Sequence, residues 1–154
     1  MAERTLLVSK INNGTVIDHI PPGKSFKVLS ILSIDSRISY TVTIAVHVLS
    51  KKGGYKDIIK IEDRFLQRDE LDRISMVAPG ATISIIKDYE IVEKFTVKIP
   101  DEIVGIVNCP NQNCISNSRE PIKSRFVVKS QKPILIQCFY CQRPLTDLEI
   151  ITNI

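Results

Sequence analysis

The sequence predicts an α+β fold in two unequal parts, a larger sandwich of strands and helices followed by a small metal-held β domain. Three observations carry that prediction. The hydrophobic pattern along residues 15–98 switches between a period of two and a period near that of a helix, so strand-like and helix-like stretches alternate. A polar, proline-marked joint of Ile99, Pro100, Asp101 and Glu102 then interrupts it. Beyond the joint stand four cysteines in two close pairs.

Each element follows from its residues. Asn12, Asn13 and Gly14 separate two short apolar runs, 5–11 and 15–20, so the first 20 residues read as strand and turn. Pro21, Pro22 and Gly23 punctuate. Phe26, Leu29 and Leu32 then recur every three residues with Val28 beside them, predicting a helix over 22–33. Val42, Ile44, Val46 and Val48 alternate with Thr43, Ala45 and His47, the clearest strand in the chain. After a turn at Lys51, Lys52, Gly53 and Gly54, residues 55–61 return with Ile59 and Ile61 on one face and Ile58 and Lys60 on the other. Apolar residues on both faces predict a strand that is covered or that faces a ligand. Leu71, Ile74 and Ala78 form a stripe among charged residues until Pro79 and Gly80 end it, a second helix over 66–78. Residues 81–87 and 89–98 read as strands around Asp88. The resulting order matches a ferredoxin-like α+β sandwich over residues 1–99.

Residues 100–154 are organised by Cys109, Cys114, Cys138 and Cys141, with four residues inside the first pair, two inside the second and 23 between pairs. Short pairs deliver two sulfurs from one turn and a long gap lets a hairpin return, which is the layout of a tetrahedral thiolate site. A structural zinc in a zinc-ribbon, rubredoxin-like β domain is expected. Two disulfides would require an oxidising compartment, and MAERTLLVSK does not resemble a secretory signal. A redox CxxC usually opens a helix, whereas Pro144 follows Cys141 here in a loop-rich region. A catalytic zinc keeps an open position and recruits histidine, but His19 and His47 lie far upstream. A piece of about 50 residues buries too little to fold alone, so metal binding and folding of this part are expected to be one equilibrium.

Composition excludes several classes. The chain has 154 residues, 44% hydrophobic and 25% charged, which argues against disorder, and its apolar runs are strand-length, so no membrane span is expected. Cysteines committed to a metal suit a cytoplasmic protein. No P-loop, GxSxG, GxGxxG or HExxH motif is present, and carboxylate pairs such as Glu62 with Asp63 suit solvated faces, so a non-catalytic protein is expected. The net charge of +4, with Lys123, Arg125, Lys129 and Lys132 between the cysteine pairs, raises nucleic-acid binding through the ribbon as the alternative. The basic run is interrupted by Phe126, Val127, Val128 and Pro133, against the dense stripe such binding favours. In the first part, Asp18, His19, Lys60 and Lys94 each suit an ordinary packed or solvated role, and together they suit an anion site.

Five segments carry a resemblance to a known family: GTVIDHIP at 14–21, KDIIKIE at 56–62, APGAT at 78–82, DYEIVEK at 88–94, and CPNQNCIS at 109–116 followed by CFYC at 138–141. They resemble the regulatory chain of aspartate carbamoyltransferase, in register over nearly the whole chain. The resemblance implies a non-catalytic subunit of pyrimidine biosynthesis whose first domain binds nucleoside triphosphates: ATP as activator, CTP and often UTP as inhibitors. It implies a regulatory dimer and a zinc domain docked on the catalytic chain, in a holoenzyme of two catalytic trimers and three regulatory dimers. By position, Asp18 and Lys60 match contacts to ribose and base, His19 and Lys94 match triphosphate contacts, and Lys56 matches an auxiliary basic position. Val8, Ser9 and Ile11 match one border of the base, and Ile86, Tyr89 and Ile91 the other. Ser84 departs from the pattern the resemblance implies, which has asparagine there, so the phosphate contact implied at that position does not carry over directly to the shorter side chain. Asn111 and Asn113 fall where the family's zinc loop meets the catalytic chain.

Overall fold

The computed structural model describes residues 10–154. Strand β1 (Gly14–Ile20) is followed by helix α1 (Ser25–Ile31), strands β2 (Val42–Leu49) and β3 (Tyr55–Glu62), helix α2 (Arg68–Val77), and strands β4 (Thr82–Lys87) and β5 (Glu90–Thr96). These strands form one antiparallel sheet in the order β2-β3-β1-β4-β5. Each helix thus links two strands that are not neighbours, with a third strand inserted between them, the split β-α-β arrangement. The second part holds β6 (Glu102–Val104), β7 (Arg125–Gln131), β8 (Ile134–Cys138) and β9 (Pro144–Thr146) in one antiparallel sheet of that order, closed by helix α3 (Asp147–Asn153).

Period-two alternation decides which side of the first sheet is core. Ile17 and Ile20 of β1, Ile59 and Ile61 of β3 and Ile83 of β4 pack with Val28 and Leu32 from the first helical segment and Ile74 and Val77 of α2. Both helices therefore cover one face, leaving the other to the intervening residues. The stripe expected on α2 is present: Ile74 and Ala78 are buried and Leu71 packs against them. Its first turn is closed by Glu70, whose Oε1 accepts the Gln67 N–H at 2.9 Å.

Two expectations are corrected. Helix α1 begins at Ser25 rather than 22, because Pro21 to Lys24 form a turn in which the Lys24 N–H donates to the Pro21 carbonyl at 3.0 Å. Its inward residues are Ser25, Val28 and Leu32, whereas Phe26 is 63% exposed. The phase is set by the Asp57 carboxylate, which accepts from the Ser25 hydroxyl at 2.5 Å and draws position 25 toward the core. On β2 the expected alternation ends at a bulge between Ala45 and Val48 where His47 has φ 58, so Ile44 and Val46 stand exposed on an edge strand. The β4–β5 hairpin turns through Asp88 and Tyr89, both with positive φ, as a two-residue turn matching strand twist requires.

The two parts share side chains at their junction. Val97 packs in the first core, while Ile99 joins Ile103, Phe126, Ile136 and Leu145 in the second. Met76 of α2 is buried in that second core, and Ile154 packs against both. No helix among the described residues is long and apolar enough to cross a membrane.

Candidate functional site

On the sheet face opposite the helices lies a groove of about 850 Å³. Strand register builds it. Lys60 of β3 stands opposite Val16 of β1, Val16 opposite Ser84 of β4, and Ser84 opposite Lys94 of β5, so one row across four strands brings two lysines to either side of a small apolar and hydroxyl floor. Two residues along β1 from Val16 and four along β3 from Lys60, Asp18 and Lys56 meet as an ion pair at 3.0 Å. The other end is apolar, with Ile11, Ile86, Tyr89 and Ile91.

The groove is strongly cationic. Lys10, Lys51, Lys56, Lys60 and Lys94 line it against only Asp18 and Glu90. Burial pushes the Lys60 ammonium below its ordinary value, with Asp18 opposing the shift and Lys10 adding to it. His19 is likewise pushed down, first by burial and then by Lys56, Lys52 and Lys94, against the pull of Asp18. Its imidazole sits at the groove's cationic end but outside its lining, with Nδ1 3.2 Å from the Thr82 hydroxyl, on a β1 bulge where its φ is 57.

Of the twelve residues expected at a nucleotide site, nine line this groove: Ile11, Asp18, Lys56, Lys60, Ser84, Ile86, Tyr89, Ile91 and Lys94. His19 stands beside it, and Val8 and Ser9 lie outside the described residues. Val16 and Ile58 were missed, although period two places them on the face of Asp18 and Lys60. Lys51 and Leu49 reach the groove through the β2–β3 hairpin, which sequence spacing does not reveal.

The second candidate site is the cysteine cluster. Cys109 and Cys114 come from the loop after β6, Cys138 from the end of β8, and Cys141 from the turn beyond it. All four sulfurs lie within 4.8 Å of one another, with the Cys109–Cys141 and Cys114–Cys138 pairs both at 3.6 Å. Sulfurs at about 2.3 Å from a central tetrahedral ion stand about 3.8 Å apart, so the cluster fits a closed four-thiolate centre. The Asn117 amide donates to the Cys109 and Asn111 carbonyls, both at 2.7 Å, and fixes the first loop. Burial pushes the Cys109 thiol up to about 12 and raises that of Cys138, whereas burial of Cys141 is outweighed by hydrogen bonds from Arg143, Asn111 and the neighbouring thiols, which bring it down to about 6. Four thiolates this close therefore require a cation to compensate them. Of the basic residues between the pairs, Arg125 is paired with Glu102 at 2.8 Å and lies over the Phe139 ring.

Both regions match family models. Residues 6–98 match the allosteric domain of the aspartate carbamoyltransferase regulatory chain, and residues 101–151 match its metal binding domain. The chain belongs to the aspartate carbamoyltransferase regulatory chain family. Regulatory chains so named from Thermoplasma acidophilum and Thermoplasma volcanium are 53% and 55% identical over 150 residues, covering 97% of this chain and 99% of each relative. That of Thermococcus onnurineus is 49% identical over the full length of both chains. Membership makes this a regulatory, non-catalytic subunit, and the groove falls within its allosteric domain and the cysteine cluster within its metal-binding domain.

Proposed function

We propose that residues 1–99 form a ferredoxin-like effector domain that binds nucleoside triphosphates in the groove, and that residues 100–154 form a zinc domain that docks on the aspartate carbamoyltransferase catalytic chain. The observation that carries the effector reading is the groove's make-up, five lysines against two carboxylates around an apolar floor. A triphosphate brings about four negative charges, which lysines meet as point charges, while the apolar end suits a base. No motif supplies a nucleophile or paired general acid and base, so binding rather than turnover is the chemistry offered.

CTP, UTP and ATP are the proposed ligands and Zn²⁺ the proposed metal, one per chain. The chain pairs with its twin and joins a cytoplasmic holoenzyme of two catalytic trimers and three regulatory dimers. A nucleotide that binds two quaternary states with a difference of about 1–3 kcal/mol shifts catalytic affinity by about 5- to 150-fold. Met76 and Ile154, shared by the two parts, support a route for that signal.

The test is calorimetric titration of the metal-loaded full-length chain with CTP, UTP and ATP, followed by co-purification with a catalytic chain with and without chelator. Nucleotide binding that weakens with salt, and catalytic-chain capture lost on chelation, are the expected results. A chain that binds no nucleotide refutes the effector reading, and capture that survives complete metal removal refutes the docking role.

A further inference from the structure

Among the described residues, Asp57 is the only fully buried carboxylate, and it touches neither the groove nor the cysteines. Its oxygens are spent on three backbone N–H groups and one hydroxyl. Oδ2 accepts from the Gly23 N–H at 3.0 Å, the Ser25 N–H at 3.4 Å and the Ser25 hydroxyl at 2.5 Å, and Oδ1 accepts from the His47 N–H at 2.8 Å. These donors belong to two segments that each adjoin a bulge in a strand flanking β3. His19 (φ 57) precedes the Pro21–Gly23 turn on one side, and His47 (φ 58) precedes Val48 and Leu49 on the other. Both histidines hold a left-handed conformation that non-glycine residues adopt only under constraint.

We infer that Asp57 is a positioning residue for the cationic end of the groove, an inference that rests on the proposed nucleotide reading. Its position in β3 explains how. Lys56 and Ile58, its chain neighbours, face the groove, while Asp57 faces the core one strand away from each bulge, opposite Ile20 of β1. From there the carboxylate clamps the β2 edge, which carries Val48, Leu49 and Lys51 into the groove wall, and the turn beyond His19. Lys60, Ser84 and Lys94 need no such clamp, because ladder register alone aligns them across the sheet. Removing the carboxylate therefore loosens one end of the groove and leaves its centre in place. The ligand parts held by that end are the outer phosphates, since the opposite end is apolar.

The experiment titrates the metal-loaded full-length chain with CTP and with CMP, for the wild type, Asp57→Asn and Ser25→Ala. In Asp57→Asn the amide keeps the size but replaces one acceptor oxygen by a donor. CTP affinity is expected to fall about tenfold and CMP affinity to change less than about twofold, with a shallower salt dependence for CTP. Ser25→Ala removes one hydroxyl donor and leaves the carboxylate with its backbone bonds. It lowers the CTP-to-CMP ratio in the same direction by a smaller factor, and it decides the matter where Asp57→Asn does not fold. A purely architectural role would weaken both nucleotides together, so a CTP-to-CMP ratio unchanged in the folded variants overturns the inference alone. A wild-type chain that binds neither nucleotide overturns the groove reading and this inference with it.

Discussion

Stripping the metal is expected to unfold the second sheet and spare the first. Cys109, Cys114 and Cys138 are each less than 5% exposed and belong to the same buried cluster as Phe126, Ile136, Leu145 and Ile150. Losing the ion therefore loosens the centre of that core rather than its rim. Structural Zn²⁺ in small domains contributes about 10–16 kcal/mol at neutral pH, as large as the about 5–15 kcal/mol that holds a whole domain folded. No cysteine enters the first core, whose Ile17, Ile59, Ile61 and Ile74 pack among helices and sheet. Residue-resolved hydrogen exchange before and after chelation reads the difference. Amides of β7 and β8 lose protection, those of β1 and β3 keep it, and those around Met76 in α2 respond partially because that side chain lies in the second core. Full protection of β7 and β8 in protein shown by elemental analysis to be metal-free would refute this reasoning.

Lys94→Ala removes one end of the row that crosses four strands; CTP binding is expected to weaken by about 1.5–3 kcal/mol with a flatter salt dependence, and an unchanged calorimetric titration would contradict the site assignment. Burial raises the Asp57 carboxyl, but the hydrogen bonds from Ser25, His47 and Gly23 outweigh it and hold the group below its ordinary 3.8. Its contribution to stability is thus complete above that unfolded value and lost as pH falls through the lower folded one. Melting temperatures from pH 7 to pH 2 should decline less at the acid end in Asp57→Asn than in the wild type, and equal declines would count against the assignment.

Legibility in the sequence followed how local the physics was. The cysteine centre was readable because each pair sits in one tight turn, and short spacing is itself the geometry that a tetrahedral ion needs. Strand β3 was readable as the return of a hairpin with apolar residues on both faces, β4 and β5 from their apolar runs around Asp88, and α2 from its Leu71, Ile74 and Ala78 stripe with Pro79 and Gly80 as its stop. In helix α1 the expected Val28, Leu29 and Leu32 do pack on the core, while Phe26 is displaced to solvent because Asp57, 32 residues away from Ser25, draws position 25 inward. The β2 bulge was hidden for a related reason: His47 adopts its left-handed turn around a carboxylate from another strand. Convergence of Lys60, Ser84 and Lys94 depends on register across strands, which no window along the chain contains. Resemblance named those residues, and pairing put them in a row.

The alternation along β1, β3 and β4 has a consequence for what the chain tolerates. Several groove residues there have a core residue as their immediate neighbour: Asp18 beside Ile17, Lys60 between Ile59 and Ile61, Ser84 beside Ile83. A one-residue slip would turn Lys60 inward on β3, Asp18 on β1 or Ser84 on β4, and isoleucine outward at once. The proposed effector surface is the reverse side of the scaffold, imprinted on the same strands, so its register is tied to that of the core. Changes in the groove are thereby confined to exchanges of side chain at fixed stations and to the hairpin and bulges at the rim.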